Sequence, residues 1–220
     1  MIAAWPSPVG EEYALAFDKS RPHRVLVLPA WFDEASKLRH FTAEVMRRLN
    51  GAGIDSFLPD LPGCNESLAP LAEQTLDTWR AEAAEAAWYF SATHVLAIRA
   101  GAMLAPDALP GWRYAPVAAT SQLRSLLRAR VLAAREAGRD DDRDALLAEG
   151  RQHGLELAGY RLGAAMISDL AETDLASCTK QRDIAQGDIG GAGLWLRAEP
   201  DYDPKQADAL AAIVAMELLA

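Results

Sequence analysis

The chain has 220 residues, half of them hydrophobic, and a formal net charge of −9. That is apolar material enough for one α/β core, while so acidic a chain repels a phosphate backbone and argues against a nucleic-acid partner. The start, MIAAWPSPVGEEYALAF, lacks a basic segment and is broken by Pro6, Pro8, Glu11 and Glu12, so it does not read as a signal peptide; no window reaches the roughly 18 apolar residues of a membrane span, and the cytoplasm is the expected compartment.

RVLVLPA, residues 24–30, is a β-branched apolar run closed by a proline, which predicts a fully buried strand. FDEASKLRHFTAEVMRRLNGAG follows, with Phe41, Val45, Met46 and Leu49 at helical spacing and Gly51 and Gly53 as the stop. IDSFLPDLPG predicts a second strand ending in a Pro-Gly turn, and TLDTWRAEAAEAAWYF a helix. HVLAI is the third strand, AGAMLA the opening of the next helix, and WRYAPVAA, residues 112–119, a fourth strand. Strands alternating with helices imply βαβ units and a parallel sheet.

Residues 120–175 interrupt that alternation. SQLRSLLRARVLAAREAG is an Arg-rich helix, RDDDRD a solvated charged loop, and LLAEGRQ and AAMISDLAET are helical pieces around LELAGY. The block predicts a helical cap over the sheet. GAGLWLRAE predicts a last strand, and PKQADALAAIVAMELLA a closing amphipathic helix with Leu210, Ile213, Val214 and Leu218 on one face.

Ligands in an open α/β sheet bind beyond the carboxyl ends of the strands. Three loops fall there: PAWFDEASKLR, residues 29–39; DLPGCNES, residues 60–67; and RAGA, residues 99–102. Asp33, Glu34, Lys37 and Arg39 crowd the first, beside Trp31, although acids at a helix start with bases a turn later are also what an ordinary helix carries. HVLAIRAGAMLA matches the strand–turn–helix setting in which hydrolases hold a nucleophilic serine within G-x-S-x-G, but the serine position is Arg99 and the first glycine is Ala97. A guanidinium at a helix N-terminus needs an anion. Two partners fit: an internal one, Asp33, Glu34 or Asp60, or an external carboxylate or phosphate held by Arg99 with Lys37 or Arg39.

A serine triad orders Ser, acid and His along an α/β-hydrolase chain. After Arg99 the remaining histidine is His153, inside the charged block, and Ser36 and Ser67 have no evident base. Cys64 is a further nucleophile candidate. The histidines and the cysteines Cys64 and Cys178 show no metal spacing, and no cofactor is expected.

RVLVLPAWFDEASKLRHF, FLPDLPGCNES, HVLAIRAGAMLA, YAPVAATSQLRSLLRARV and LELAGYRLGAAMISDLAETDL follow one another in an order that resembles the exosortase A system-associated hydrolases, type 2 above all, and GLWLRAEPDYDP resembles their closing segment. The resemblance implies an α/β-hydrolase fold, an arginine at the elbow, and a link to exopolysaccharide production and surface-protein sorting in Gram-negative bacteria. Asp33 and Ser36 depart from the Glu and Asn of that pattern. The short stretches Ala105–Tyr114 and Cys178–Gly193 imply a missing strand or helix in each place, hence a shortened C-terminal half.

The expectation is a single α/β-hydrolase-like domain over residues 1–220: a mostly parallel sheet flanked by helices, with a cap at 120–175. Its cleft would be lined by Trp31, Asp33, Glu34, Lys37, Arg39, Asp60 and Arg99, and the backbone N–H groups of Trp31 and Ala100 would stand where an oxyanion hole forms. One reading is a protein without a serine nucleophile that binds a small anionic or acylated ligand, or a protein partner in the exopolysaccharide system. Another is a hydrolase in which Asp33 or Glu34 activates water and Arg99 steadies the oxyanion, though a neighbouring guanidinium favours the ionised carboxylate and weakens it as a base. A third is a non-catalytic assembly partner.

Overall fold

In the computed structural model, which describes residues 1–8 and 10–220, the chain opens with two strands, β1 Ile2–Ser7 and β2 Gly10–Phe17. The sequence reading left this segment without strands. In β2, Glu12, Ala14 and Ala16 point inward between half-exposed neighbours. An acid and two alanines on the inward face conceal the two-residue period that marks a strand.

The alternation then runs β3 Arg24–Leu28, α1 Phe32–Gly51, β4 Asp55–Pro59, α2 Leu76–Tyr89, β5 His94–Ile98 and β6 Gly111–Tyr114. The interrupting block holds α3 Ala119–Glu136, α4 Arg143–His153, a small hairpin of β7 Leu155–Leu157 and β8 Tyr160–Leu162, and α5 Ala164–Glu172. β9 Gln181–Ile184, α6 Gln186–Ile189 and α7 Pro204–Leu219 complete the order.

Seven strands form one sheet in the order β1-β2-β4-β3-β5-β6-β9. β4, β3, β5, β6 and β9 are parallel, and β1 and β2 add an antiparallel edge. Both faces are covered. Val25 and Val27 of β3 join the core under α1 and α7, and Leu26 and Leu28 join the core under α2 and the inserted block. That two-sided burial explains why the strand reads as a continuous apolar run. The chain leaves β3 towards β4 on one side and returns through α2 to β5 on the other, so the switch of direction falls between β3 and β5. Their carboxyl ends carry Trp31 and Arg99. Among the described residues no helix is long and apolar enough to cross a membrane.

Two predicted elements are different. The segment after β5 is a six-residue 3₁₀ turn, Arg99–Leu104, and not a full helix. Pro106 stands two residues beyond it and cannot supply the N–H a continuing helix needs. GLWLRAE is not the last strand. β9 is, and Leu194–Leu196 form a short 3₁₀ turn. The left-handed Gly190 and Gly191, at φ 78° and 72°, turn the chain away from the sheet edge. Trp195 is thereby carried towards the elbow.

Glu82 of α2 is 1% exposed, against the terminal hairpin. Burial raises its carboxyl to about 7; a hydrogen bond with Ser7 offsets part of this, and the charges of Glu12 and Glu85 add to it. The unfolded group ionises near ~4.3. Its folded-state pKa is therefore the higher one, and the associated stability is complete below the unfolded value and lost as pH rises through about 7. Urea midpoints should fall by roughly 2 kcal/mol equivalent between pH 5 and pH 8. Glu82→Gln should remove most of that fall. An unchanged slope in the variant would show that Glu82 does not titrate with folding.

Candidate functional site

β5 ends in a sharp bend at Arg99, which has φ 55°, a left-handed conformation unusual for a residue with a side chain. It is the backbone of a nucleophile elbow with the wrong side chain for nucleophilic attack. Two residues on, Gly101 is pressed against β3. A Cβ there would lie 2.5 Å from the Pro29 carbonyl oxygen and 2.7 Å from that of Leu28. This close approach, and not a turn, demands glycine.

The Arg99 guanidinium is engaged on every side. Nε donates to Glu34 Oε2 at 2.9 Å and Nη2 to Glu34 Oε1 at 3.1 Å, a two-pronged pair. Nη1 donates to the Ala115 carbonyl at 2.7 Å, and Cζ lies 4.0 Å from the centre of a Trp195 ring. Arg99 and Glu34 side chains are 13% and 17% exposed, so the pair is largely out of water. Of the alternatives open at the sequence level, the geometry shows the internal pairing, with Glu34.

The other predicted residues also pair locally. Lys37 Nζ meets Asp33 Oδ2 at 2.7 Å, one helical turn away on the α1 surface. Arg39 Nη1 meets Asp60 Oδ1 at 3.2 Å, and Asn65 donates to the same oxygen at 2.8 Å. Ala100 is fully buried behind the elbow. The seven residues expected to line one cleft are thus divided among three ion pairs, with Trp31 apart from them.

What lies beside the pairs is a cavity of about 120 Å³, enclosed by the start of α1, the loop after β4, α2 and the β7–β8 hairpin. Of the predicted residues, Trp31 and Arg39 reach it. Its aromatic walls come from Trp31, Phe32, Trp79 and Tyr160, with Trp31 and Trp79 ring centres 5.4 Å apart and Phe32 and Tyr160 5.3 Å apart. Phe32 also has a left-handed backbone, φ 54°. Ser36 and Cys64 supply small polar groups, and the Tyr160 hydroxyl is hydrogen-bonded with Ser36. The indole Nε1 of Trp31 is buried and has no partner among the described residues, an arrangement that is costly unless something else accepts the bond.

The nucleophile candidates are quiet. Burial, with the charges of Asp60 and Glu12, raises the Cys64 thiol to about 12, so it is no thiolate near neutrality. Ser67 Oγ donates to Glu12 Oε1 at 2.6 Å, an acid without a histidine between. His153 is exposed at the end of α4. Among the described residues no group of three or more His, Cys, Asp or Glu could hold a metal ion. Sequence reasoning missed Phe32, Trp79, Tyr160 and Trp195. The first three look like ordinary core aromatics, and Trp195 was read into a strand.

No family model and no curated protein matches the chain. Solved structures do. The α/β hydrolase GrgF from Penicillium sp. sh18 superposes with a TM-score of 0.52 at 12% identity, covering 80% of this chain and 73% of that one. For α/β hydrolase domain-containing protein 10 from mouse the score is 0.51 at 15% identity, covering 77% and 69%. For a hydrolase from Pseudomonas aeruginosa it is 0.51 at 13% identity, covering 84% and 89%. Of three further matched structures this chain spans 61%, 60% and 52% of the length. Identities this low speak for the fold and leave the reaction open. The chain has the α/β-hydrolase fold.

The elbow makes two predictions. Arg99→Ala should lower unfolding stability by about 2–4 kcal/mol, somewhat below the range for fully buried pairs, because it strands Glu34. The double variant Arg99→Met with Glu34→Leu should lose clearly less, a result that denaturant titration of all forms would reveal. Additive losses would mean the pair is not coupled. Gly101→Ala should cost about 1–3 kcal/mol through its clash with β3 carbonyls, and an unchanged midpoint would refute the close approach.

Proposed function

We propose that this chain is a binding protein on a hydrolase frame, without a serine-type reaction of its own, and that its ligand presents a short neutral acyl group to the aromatic cavity. The observation that carries this reading is the pairing of a filled catalytic seat with an aromatic-walled cavity beside it. Arg99 occupies the nucleophile position and has its guanidinium edges committed to Glu34 and Ala115 and its face against Trp195. Next to it, Trp31 lines an aromatic-walled cavity, and its indole N–H, unpaired among the described residues and covered in this structure, would meet a ligand once the ring turns.

Electrostatics favour an acyl carbonyl over a free anion. Arg99 and Arg39 already hold carboxylates, and Asp60 and Glu12 bear on Cys64 in the cavity wall. A carbonyl oxygen needs a donor and no net positive charge, which an indole N–H supplies. A cavity of about 120 Å³ suits a group of a few heavy atoms, with the rest of the ligand outside. The resemblance to exosortase A system-associated hydrolases adds a setting, exopolysaccharide production in the cytoplasm of a Gram-negative cell, and the inserted block would act as the cap.

A water-activating hydrolase fits less well. Both Glu34 oxygens accept from Arg99, and Asp33, exposed and paired with Lys37, is not among the residues that line the cavity.

Calorimetric titration with butyramide and with butyrate tests the proposal, alongside p-nitrophenyl butyrate turnover. Butyramide should bind the wild type more tightly than butyrate. Trp31→Phe should weaken it five- to tenfold, about 1–1.5 kcal/mol for one lost hydrogen bond, and Ala35→Leu, which fills the cavity, should abolish it. Ester turnover above background that disappears with Glu34→Gln would overturn the non-catalytic reading, and butyramide binding unaffected by Ala35→Leu would move the ligand elsewhere.

A further inference from the structure

A second feature lies on the outer surface of the inserted block. Arg124, Arg128 and Arg135 occupy one face of α3 and, with Arg143 of α4, surround a groove of about 360 Å³ whose remaining lining is Val131 and Leu132. Leu132 is 57% exposed. In a chain of net charge −9 this is a concentrated positive site. Arg124 and Arg128 stand at i and i+4, where like charges repel along a helix. Arg124 is held by Thr120 and Ser121 of its own helix, and Arg143 by Asp144. Among the described residues, Arg128 and Arg135 have no hydrogen-bond or ion-pair partner.

The groove does not end at the arginines. A second one of about 340 Å³ adjoins it between α3, α4 and α5 and shares Arg124 and Arg143. Its other lining is aliphatic from Leu123, Leu127, Leu147 and Ala171, with Thr120 and the Arg143-paired Asp144 beside them. A cationic compartment thus opens into an apolar one through two common arginines.

We propose that this paired groove binds an amphiphilic phosphate ester, with the phosphate on Arg128, Arg135 and the shared arginines and an aliphatic chain along α3, α4 and α5. Guanidinium forks match phosphate oxygens two at a time, and the apolar arm separates this ligand from a bare anion or a nucleic acid. The site is independent of the cavity at Trp31. The ligand comes either from a membrane leaflet, as a phospholipid, or from solution as a single amphiphile; the chemistry is common to both.

The test is calorimetric titration of the full chain with decyl phosphate below its micellar concentration, beside inorganic phosphate and decyl maltoside as head-only and tail-only probes. Decyl phosphate should bind at least tenfold more tightly than either. Arg128→Ala with Arg135→Ala should weaken it at least tenfold, and Arg128→Lys with Arg135→Lys should fall between. These side chains are exposed and unpaired, so melting temperatures should not move. Flotation with phosphatidylglycerol vesicles then assigns the source: co-flotation that depends on the same arginines upholds the site and points to the leaflet, and decyl phosphate binding without co-flotation upholds it with a soluble ligand. Absence of decyl phosphate binding, equal binding of decyl maltoside, or affinity unchanged in the alanine double variant would overturn the proposal.

Discussion

The two-pronged contact between Arg99 and Glu34 governs the carboxyl edge of the sheet. Arg99 follows β5, Glu34 lies in the first turn of α1 after β3, and Ala115 follows β6. One guanidinium therefore joins the ends of three parallel strands. Removing its charge from water is unfavourable, and the arrangement holds because every edge finds an acceptor and the face finds Trp195. A lysine could not substitute, since an ammonium has neither the planar fork nor the stacking face. At the opposite, amino end of the sheet a second ion cluster plays a comparable part, with buried Asp55 of β4 accepting from Arg24 of β3 and the backbone N–H groups of Lys19 and Arg21. The parallel core is thus pinned by charge at both ends and by apolar packing between.

Pinning the carboxyl edge closes the place where a hydrolase would present its nucleophile and leaves the neighbouring volume intact. Trp31, Phe32, Trp79 and Tyr160 meet there in edge-on and tilted contacts. Those rings come from α1, α2, the preceding loop and the inserted hairpin, which supplies Tyr160 to the wall. Its polarity is equally constrained. Burial above all, and then the charges of Asp60 and Glu12, keep Cys64 protonated, and the cations nearby are already paired with carboxylates. What remains is an aromatic-walled space edged by the polar side chains of Ser36, Thr42 and Asn65.

Most of the frame was legible in the sequence because it rests on period and punctuation. The apolar runs of β3 and β5, the helical spacing of Phe41, Val45, Met46 and Leu49, and the break in alternation after residue 120 each encode one element. What failed was where tertiary contact overrides local pattern. β2 carries Glu12 inward and looked irregular, and GLWLRAE has strand composition but is drawn off the sheet by the glycines before it and by Trp195 stacking on Arg99. The charged residues of the site were visible as a cluster, yet their partners were not. Pairing Glu34 with Arg99 and Asp60 with Arg39 depends on which side of each loop faces inward, and no spacing rule states that. The aromatic cavity was hidden for a related reason, since core and ligand-facing aromatics have the same sequence signature.

The two departures of the elbow from a hydrolase pattern support each other physically. A long helix beginning at the elbow would place aligned N–H groups and about half a positive charge at its first turn. That field favours an oxyanion and disfavours a guanidinium. In this chain Pro106 ends the segment after six residues, in 3₁₀ geometry, before such a dipole can accumulate. The shortened turn therefore removes the repulsion that Arg99 would otherwise meet and, by the same step, removes the field that would stabilise a developing negative charge on a substrate. Arginine in the nucleophile seat and a truncated helix behind it are parts of one electrostatic solution, in which the elbow's left-handed backbone carries a cation paired with Glu34.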